Sequence, residues 1–198
     1  MAGFHPFAVI GAGLAGLACA RTLTEQGFSV QVFEKARGPG GRLSSRRRLD
    51  TTFDLGCQAL TAQHPDFAAQ LQSWENLNWV APLAEGGSAR IGQPRMSALT
   101  RHLSEGLALH CQTRIQTLEK TAQGLWQLTD DQGRTLGPFA AVILATPAAQ
   151  ALPLLSPASP QLAAQIQPVR EAPIWVGYFA LKHLPNPSFL ALQPDGEV

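Results

Sequence analysis

Hydrophobic and polar positions change period several times along the chain. Phe7-Ala-Val-Ile10 is a continuous apolar run, the pattern of a strand buried on both faces. It runs into Gly11-Ala-Gly13-Leu-Ala-Gly16, after which Leu17-Ala-Cys-Ala-Arg-Thr-Leu23 reads as a helix that stops at Gly27. Phe28-Ser-Val-Gln-Val-Phe33 is β-rich and ends at Glu34. Residues 67–74 predict a helix capped near Pro65 or Asp66, and residues 79–90 a strand and turn around Pro82 and Gly86-Gly87. Residues 97–105 are amphipathic, with Ser97 as cap and Gly106 as stop. Residues 107–111 and 113–118 read as extended, residues 125–129 and 134–136 as a hairpin turning at Gly133, and residues 140–145 as a buried strand. Beyond Pro147 the pattern predicts a short helix over 159–166 and a strong strand over 174–181, with proline-punctuated loop elsewhere.

The chain has 198 residues, 45% of them apolar, which suits one domain or one and a half with a real core. A formal net charge of +1 argues against a nucleic-acid partner. No apolar run is long enough for a membrane span. Nine of the fifteen prolines follow Ala145, so the last quarter differs in kind from the rest. The three cysteines, Cys19, Cys57 and Cys111, stand far apart, which makes neither a disulfide framework nor a metal-ligand spacing. A reducing, cytoplasmic setting follows as the expectation. Residues 7–20 mimic a signal peptide, but no positive segment precedes them, and the glycines account for the stretch better.

Strand, glycine turn, helix, strand and acid form one unit whose parts have physical roles. Gly11 permits the tight turn, Gly13 lets the backbone approach a diphosphate, and Gly16 allows close helix–strand packing. The helix N-terminus offers free N–H groups and a positive dipole end. Glu34 can accept hydrogen bonds from both ribose hydroxyls and would repel a 2′-phosphate, favouring FAD or NAD over NADP. A second glycine turn follows in Lys35-Ala-Arg37-Gly-Pro-Gly40-Gly41-Arg42, and Arg42 suits a further contact to the diphosphate. An NAD-only domain has no need of this second turn. Arg46, Arg47 and Arg48 read as the solvated face of an extended segment. Trp74 and Trp79 suit a core or an interdomain seam ahead of a substrate pocket. His102 and His110, without a carboxylate partner nearby in sequence, read as structural.

The run Arg37 to Ser44 resembles the R-x-GGR pattern of the two-dinucleotide-binding-domain flavoproteins, and within that group the chain resembles renalase and its bacterial relatives. Gly40-Gly-Arg-Leu-Ser-Ser-Arg-Arg47, Phe53-Asp-Leu-Gly-Cys-Gln-Ala-Leu-Thr61 and Gly92-Gln-Pro-Arg-Met-Ser-Ala-Leu-Thr-Arg-His-Leu103 carry the likeness. Cys57 stands where the pattern has Ala, and Ala59-Leu60 where it has an aromatic-rich pair near the flavin ring or substrate, which bears on substrate class. The resemblance implies an α/β, Rossmann-like FAD/NAD(P)-binding domain with an inserted, incomplete α+β substrate domain. It divides the chain into flavin-domain segments 1–62 and 95–152 and substrate-domain segments 63–94 and 153–198. It implies FAD as cofactor. Contacts are expected from Gly11, Ala12, Gly13, Leu14, Ala15, Gly16, Glu34, Lys35, Gly41 and Arg42, and from Gly56, Cys57, Gln58 and Met96. Ile115 is expected to serve the adenine through its backbone, and Ala145 and Thr146 to neighbour the flavin.

The implied activity is a FAD-dependent, amine oxidase-like oxidation of a small nitrogen-bearing substrate, a dihydronicotinamide isomer or an amine, with O2 as acceptor. No catalytic side chain and no metal is assigned, because the flavin carries such chemistry. Relatives continue to a Gly-Asp pair on the diphosphate side of FAD, and no Gly-Asp dipeptide occurs here. The alternative is therefore a dinucleotide-binding fragment without turnover. An NAD-dependent dehydrogenase is a third, disfavoured reading, and the oligomeric state is not readable from sequence.

Overall fold

The computed structural model describes residues 5–48, 50–84 and 86–177. In chain order these form β1 (Phe7–Ile10), α1 (Leu14–Glu25), β2 (Val30–Phe33), a 3₁₀ turn (Gly41–Leu43), β3 (Ser45–Arg48), β4 (Thr51–Asp54), α2 (Pro65–Asn76), β5 (Val80–Pro82) and β6 (Arg90–Gly92). They continue with α3 (Met96–Ser104), β7 (Ala108–His110), β8 (Ile115–Lys120), β9 (Trp126–Asp130), β10 (Thr135–Phe139), β11 (Ala141–Leu144), α4 (Ala148–Ala158) and α5 (Pro160–Ile166).

Four strands make a parallel sheet in the order β11-β1-β2-β7. Alternation along these strands sends side chains to two separate cores. Val9, Val30 and Val32 join Leu17 and Ala20 of α1, Met96, Leu99 and Leu103 of α3, and Leu71 and Trp74 of α2. Ala8, Ile10 and Phe33 face the opposite way, onto Ile115 and Leu118 of β8, Leu128 of β9, Phe139 of β10 and Leu154 of α4. The parallel sheet is thus sandwiched between a helical layer and a second, antiparallel sheet β10-β9-β8, which explains why β1 is apolar at every position. The architecture is the expected Rossmann-like α/β fold. Hairpins β3–β4 and β5–β6 complete the described structure.

Several elements depart from expectation. Residues 148–158, expected as loop, form α4 with Pro153 and Pro157 inside it. Each proline forfeits a backbone donor, and buried Ala151 and Leu154 hold the helix against the body of the protein. Ser97 is not the cap of α3: Arg95 occupies that position without a side-chain bond. The orphan donors are met from afar, the Met96 amide by the Asp54 carboxylate at 3.2 and 3.3 Å and the Ser97 amide by Ser45 Oγ at 3.1 Å. For α2 the cap is His64, whose ring accepts from the Asp66 amide, with Pro65 opening the helix. β11 is half-buried because it is the terminal strand of its sheet. Of the strand expected over 174–181, residues 174–177 are not in a strand, and the remainder lies outside the described residues. Arg46, Arg47 and Arg48 are exposed on β3, as expected of a solvated face.

Candidate dinucleotide site

The turn between β1 and α1 is shaped by contacts only glycine allows. Gly11 has φ +106°, donates its amide to the Phe33 carbonyl at 2.8 Å, and a Cβ there would sit 2.9 Å from the Ala145 carbonyl oxygen. A Cβ on Gly16 would fall 2.0 Å from the Gly11 carbonyl oxygen, so α1 packs on the turn itself. Gly13 differs: a Cβ there would meet nothing nearer than the Gly41 Cα at 4.0 Å. Gly13 is also the N-cap of α1, which has no side-chain cap and no acid in its first turn. Its leading N–H groups are left for an outside acceptor.

Glu34 stands just past β2, 7% exposed. Its Oε2 accepts from the Ala12 amide at 2.9 Å and its Oε1 from the Ala36 amide at 2.8 Å. Its own backbone bridges the end of β7 and the segment that leads into β8, donating to the His110 carbonyl and accepting from the Thr113 amide, each at 2.9 Å. The second glycine turn closes against the first: the Gly40 amide donates to the Ala12 carbonyl at 2.9 Å, and a Cβ on Gly41 would lie 3.2 Å from the Gly13 Cα. Gly56 packs on the Arg42 carbonyl, which accepts from the Cys57 amide at 2.9 Å.

These turns border a cavity of about 1540 Å³. Of the residues named from sequence, Gly11, Gly13, Leu14, Ala15, Glu34 and Lys35 line it. So do Gly41, Arg42, Cys57, Ile115, Ala145 and Thr146. The structure does not bring the rest to its wall. Ala12 is wholly buried behind the turn, Gly16 and Gly56 are packing glycines, Gln58 is exposed, and Met96 is wholly buried at the start of α3. Sequence reasoning missed Arg114, which lines the cavity one residue before Ile115, and also Gln150, Pro153 and Leu154. The last three lie on α4, so reading 148–158 as loop hid them. The step from Ile115 to its neighbour was the available signal for Arg114.

The cavity lining carries four basic side chains, Arg21, Lys35, Arg42 and Arg114, against two carboxylates, Glu25 and Glu34, an excess of positive charge that suits a diphosphate. Lys35 Nζ donates to Gln150 Oε1 at 2.7 Å, linking the tip of β2 to α4. Phe67, Trp74 and Trp79 add aromatic surface to the lining, to which Ala18 and Thr22 of α1 also contribute, and Arg21 pairs with Glu25 at 3.9 Å. Trp74 is at once core and wall, 5% exposed. Trp79 stacks on His102 with ring centroids 4.9 Å apart, and His102 Nδ1 lies 3.1 Å from Glu105 Oε1. That pairing, with the residue that follows the last turn of α3, corrects the reading of His102 as lacking a carboxylate partner. His110 stacks on Phe33.

The residues present fit a dinucleotide. Gly13 leaves open the space a methyl would occupy beside uncapped amides, and the carboxylate of Glu34 retains acceptor sites beyond the two in use. The Thr146 hydroxyl, on a residue lining the cavity, is buried without a hydrogen-bond partner among the described residues. Burial pushes the Cys57 thiol up, an effect its contact with the Ala59 backbone tempers and the Asp54 charge reinforces. The thiol therefore stays protonated at neutral pH.

Comparisons with known proteins agree with this geometry. The family model described as an NAD(P)-binding Rossmann-like domain matches residues 9–74. A ζ-carotene-forming phytoene desaturase of Myxococcus xanthus is 56% identical over 48 residues, 24% of this chain and 9% of that protein. A 4,4′-diapolycopene oxygenase of a Methylomonas species is 50% identical over 56 residues, 28% of this chain and 11% of that protein. The matches thus span about a tenth of the length of these curated relatives. Among solved structures, a putrescine oxidase mutant with redesigned cofactor binding superposes with a TM-score of 0.65 at 14% identity, over 82% of this chain and 63% of that one, which is a likeness of fold. Residues 9–74 are thus similar to an NAD(P)-binding Rossmann-like domain, and 48 to 56 residues of the chain are similar to these carotenoid enzymes.

Proposed function

We propose that the chain binds FAD in this cleft and belongs to a renalase-like, FAD-dependent oxidoreductase. The reaction would be oxidation of a dihydronicotinamide isomer or an amine, with O2 as the final acceptor. The observation that carries the reading is the paired glycine turns closing on Glu34 beside uncapped helix amides and Arg42. The α1 amides and Arg42 take the diphosphate, and Glu34 accepts from the ribose hydroxyls while rejecting a 2′-phosphate. Arg114 and Ile115 wall the adenine, and Cys57, Ala145 and Thr146 border the flavin. Bound FAD supplies the two-electron oxidation, and the protein's part is to bind, orient and exclude water.

The flavin and substrate segments bounded at residues 62, 94 and 152 belong to the same reading, as does a cytoplasmic setting, which the three unpaired cysteines support. Among the described residues no helix is long and apolar enough to cross a membrane.

Titration of the purified chain with FAD, NAD and NADP tests the cofactor. FAD uptake with flavin absorbance is expected, and preference for NAD would turn the reading towards a dehydrogenase. A second reading is dinucleotide binding without turnover. Peroxide release on adding a dihydronicotinamide isomer separates the two: FAD bound with no peroxide leaves the binding fragment.

A further inference from the structure

Both carboxylate oxygens of Glu34 are engaged by the protein's own backbone. The bond from the Ala36 amide, two residues on, is a local turn that a shorter acidic side chain also makes. The bond from the Ala12 amide is of another kind, since it spans 22 residues and fastens the tip of β2 to the middle of the first glycine turn. Ala12 is held from its other side too, its carbonyl accepting from the Gly40 amide at 2.9 Å. Gly40 opens the second turn, whose Gly41 lies against Gly13 and whose Arg42 lines the cavity. A single chain of contacts thus runs from a buried carboxylate through Ala12 to both turns.

Glycine-rich turns have more backbone freedom to lose than any other segment. Donors that receive an anion work only if they are already aimed. α1 has no side-chain cap to do the aiming. We propose that Glu34 is the positioning residue of the phosphate cradle: its carboxylate fixes the Ala12 amide and, through Ala12 and Gly40, sets both glycine turns in the arrangement that receives a diphosphate, independently of any contact with a ribose. This rests on the dinucleotide reading of the site.

The proposal opposes what charge alone dictates. Removing a carboxylate beside a bound dianion relieves repulsion and should tighten binding. The positioning role requires weaker binding instead. In Glu34→Gln one end of the side chain becomes an N–H donor and the charge is gone, so one of the two bonds is lost and the other is no longer charge-assisted, which loosens Ala12 in either orientation. Glu34→Asp keeps the charge and the local turn to Ala36 but is one methylene too short for Ala12.

The test uses the full chain and inorganic pyrophosphate, which has no ribose. In the ligand-free protein, amide exchange at Ala12 and Gly40 is expected to quicken by about tenfold or more in both variants, with Val9 and Val32 in the sheet unchanged. Pyrophosphate affinity, by calorimetry, is expected to fall by about tenfold in both, where a factor of ten corresponds to about 1.4 kcal/mol. Should Glu34→Gln lose its fold by circular dichroism, Glu34→Asp carries the test. Unchanged exchange at Ala12 overturns the positioning role. So does Glu34→Gln binding pyrophosphate as tightly as the wild type or more tightly, or a loss confined to ADP, which returns Glu34 to a ribose ligand alone. A wild-type chain that takes up neither FAD nor pyrophosphate overturns the reading of the site itself, an outcome distinct from intact binding with unchanged exchange.

Discussion

Gly13 and Gly16 stand one helical turn apart and have opposite reasons to lack a side chain. A methyl on Gly16 meets the Gly11 carbonyl oxygen at 2.0 Å, so Gly16→Ala must displace the turn or α1. A methyl on Gly13 meets no protein atom closer than 4.0 Å, and φ −81° suits any residue. Gly13→Ala is therefore expected to leave the stability unchanged or to raise it by at most about 1 kcal/mol, from a stiffer unfolded chain, with a melting temperature no lower than that of the wild type. Its FAD affinity should nevertheless fall by about tenfold or more, because the methyl occupies the anion's place. Gly16→Ala is expected to lose about 3 kcal/mol or more of stability by urea titration. Equal melting temperatures for the two variants would contradict the packing described for Gly16.

Helices and hairpins here depend on partners that local sequence does not reveal. The pattern of residues 97–105 marked a helix correctly, yet its cap could not be read, because Asp54 and Ser45 arrive from the β3–β4 hairpin. Ser45 Oγ also donates to Asp54 Oδ1, so the two act as a unit. Asp54→Ala and Ser45→Ala are each expected to cost about 1 kcal/mol in chemical denaturation, and the double variant less than the sum. Strict additivity would mean the two caps are independent. α4 was missed for a related reason: Pro153 and Pro157 argue against a helix in isolation, and only the burial of Ala151 and Leu154 overrules them.

The β9–β10 hairpin, legible from Gly133 alone, has an electrostatic clasp that was not. Burial of Asp130 would by itself raise its carboxyl, but bonds from the Arg134 amide and guanidinium and from the Gln132 amide outweigh this and hold it below the ordinary value of 3.8. A depressed carboxyl stabilises the fold above its unfolded-state pKa and loses that contribution as pH falls through the folded one. Melting temperature should therefore drop on acidification below about pH 4, and Asp130→Asn should flatten that part of the profile. An unchanged acid slope in Asp130→Asn would remove Asp130 from the account.

At the scale of the molecule, the sequence was most informative where function leaves a local signature. Glycine spacing and an acid at a strand tip are such signatures, and Gly11, Gly13, Glu34 and Arg42 do converge on one cavity. The lining residues without a local signature, Arg114 and those of α4, carry no such spacing, because they need only present a surface. That asymmetry has a practical side. The homologous segment ends at residue 74, which invites its excision as a minimal binding module. In the intact fold, β1 lies between β2 and β11, each residue from Phe7 to Ile10 opposite one from Ala141 to Leu144. A module cut at 74 would bare one whole side of an apolar strand, a template for intermolecular pairing, and such a fragment is suited to aggregation before it is suited to any nucleotide.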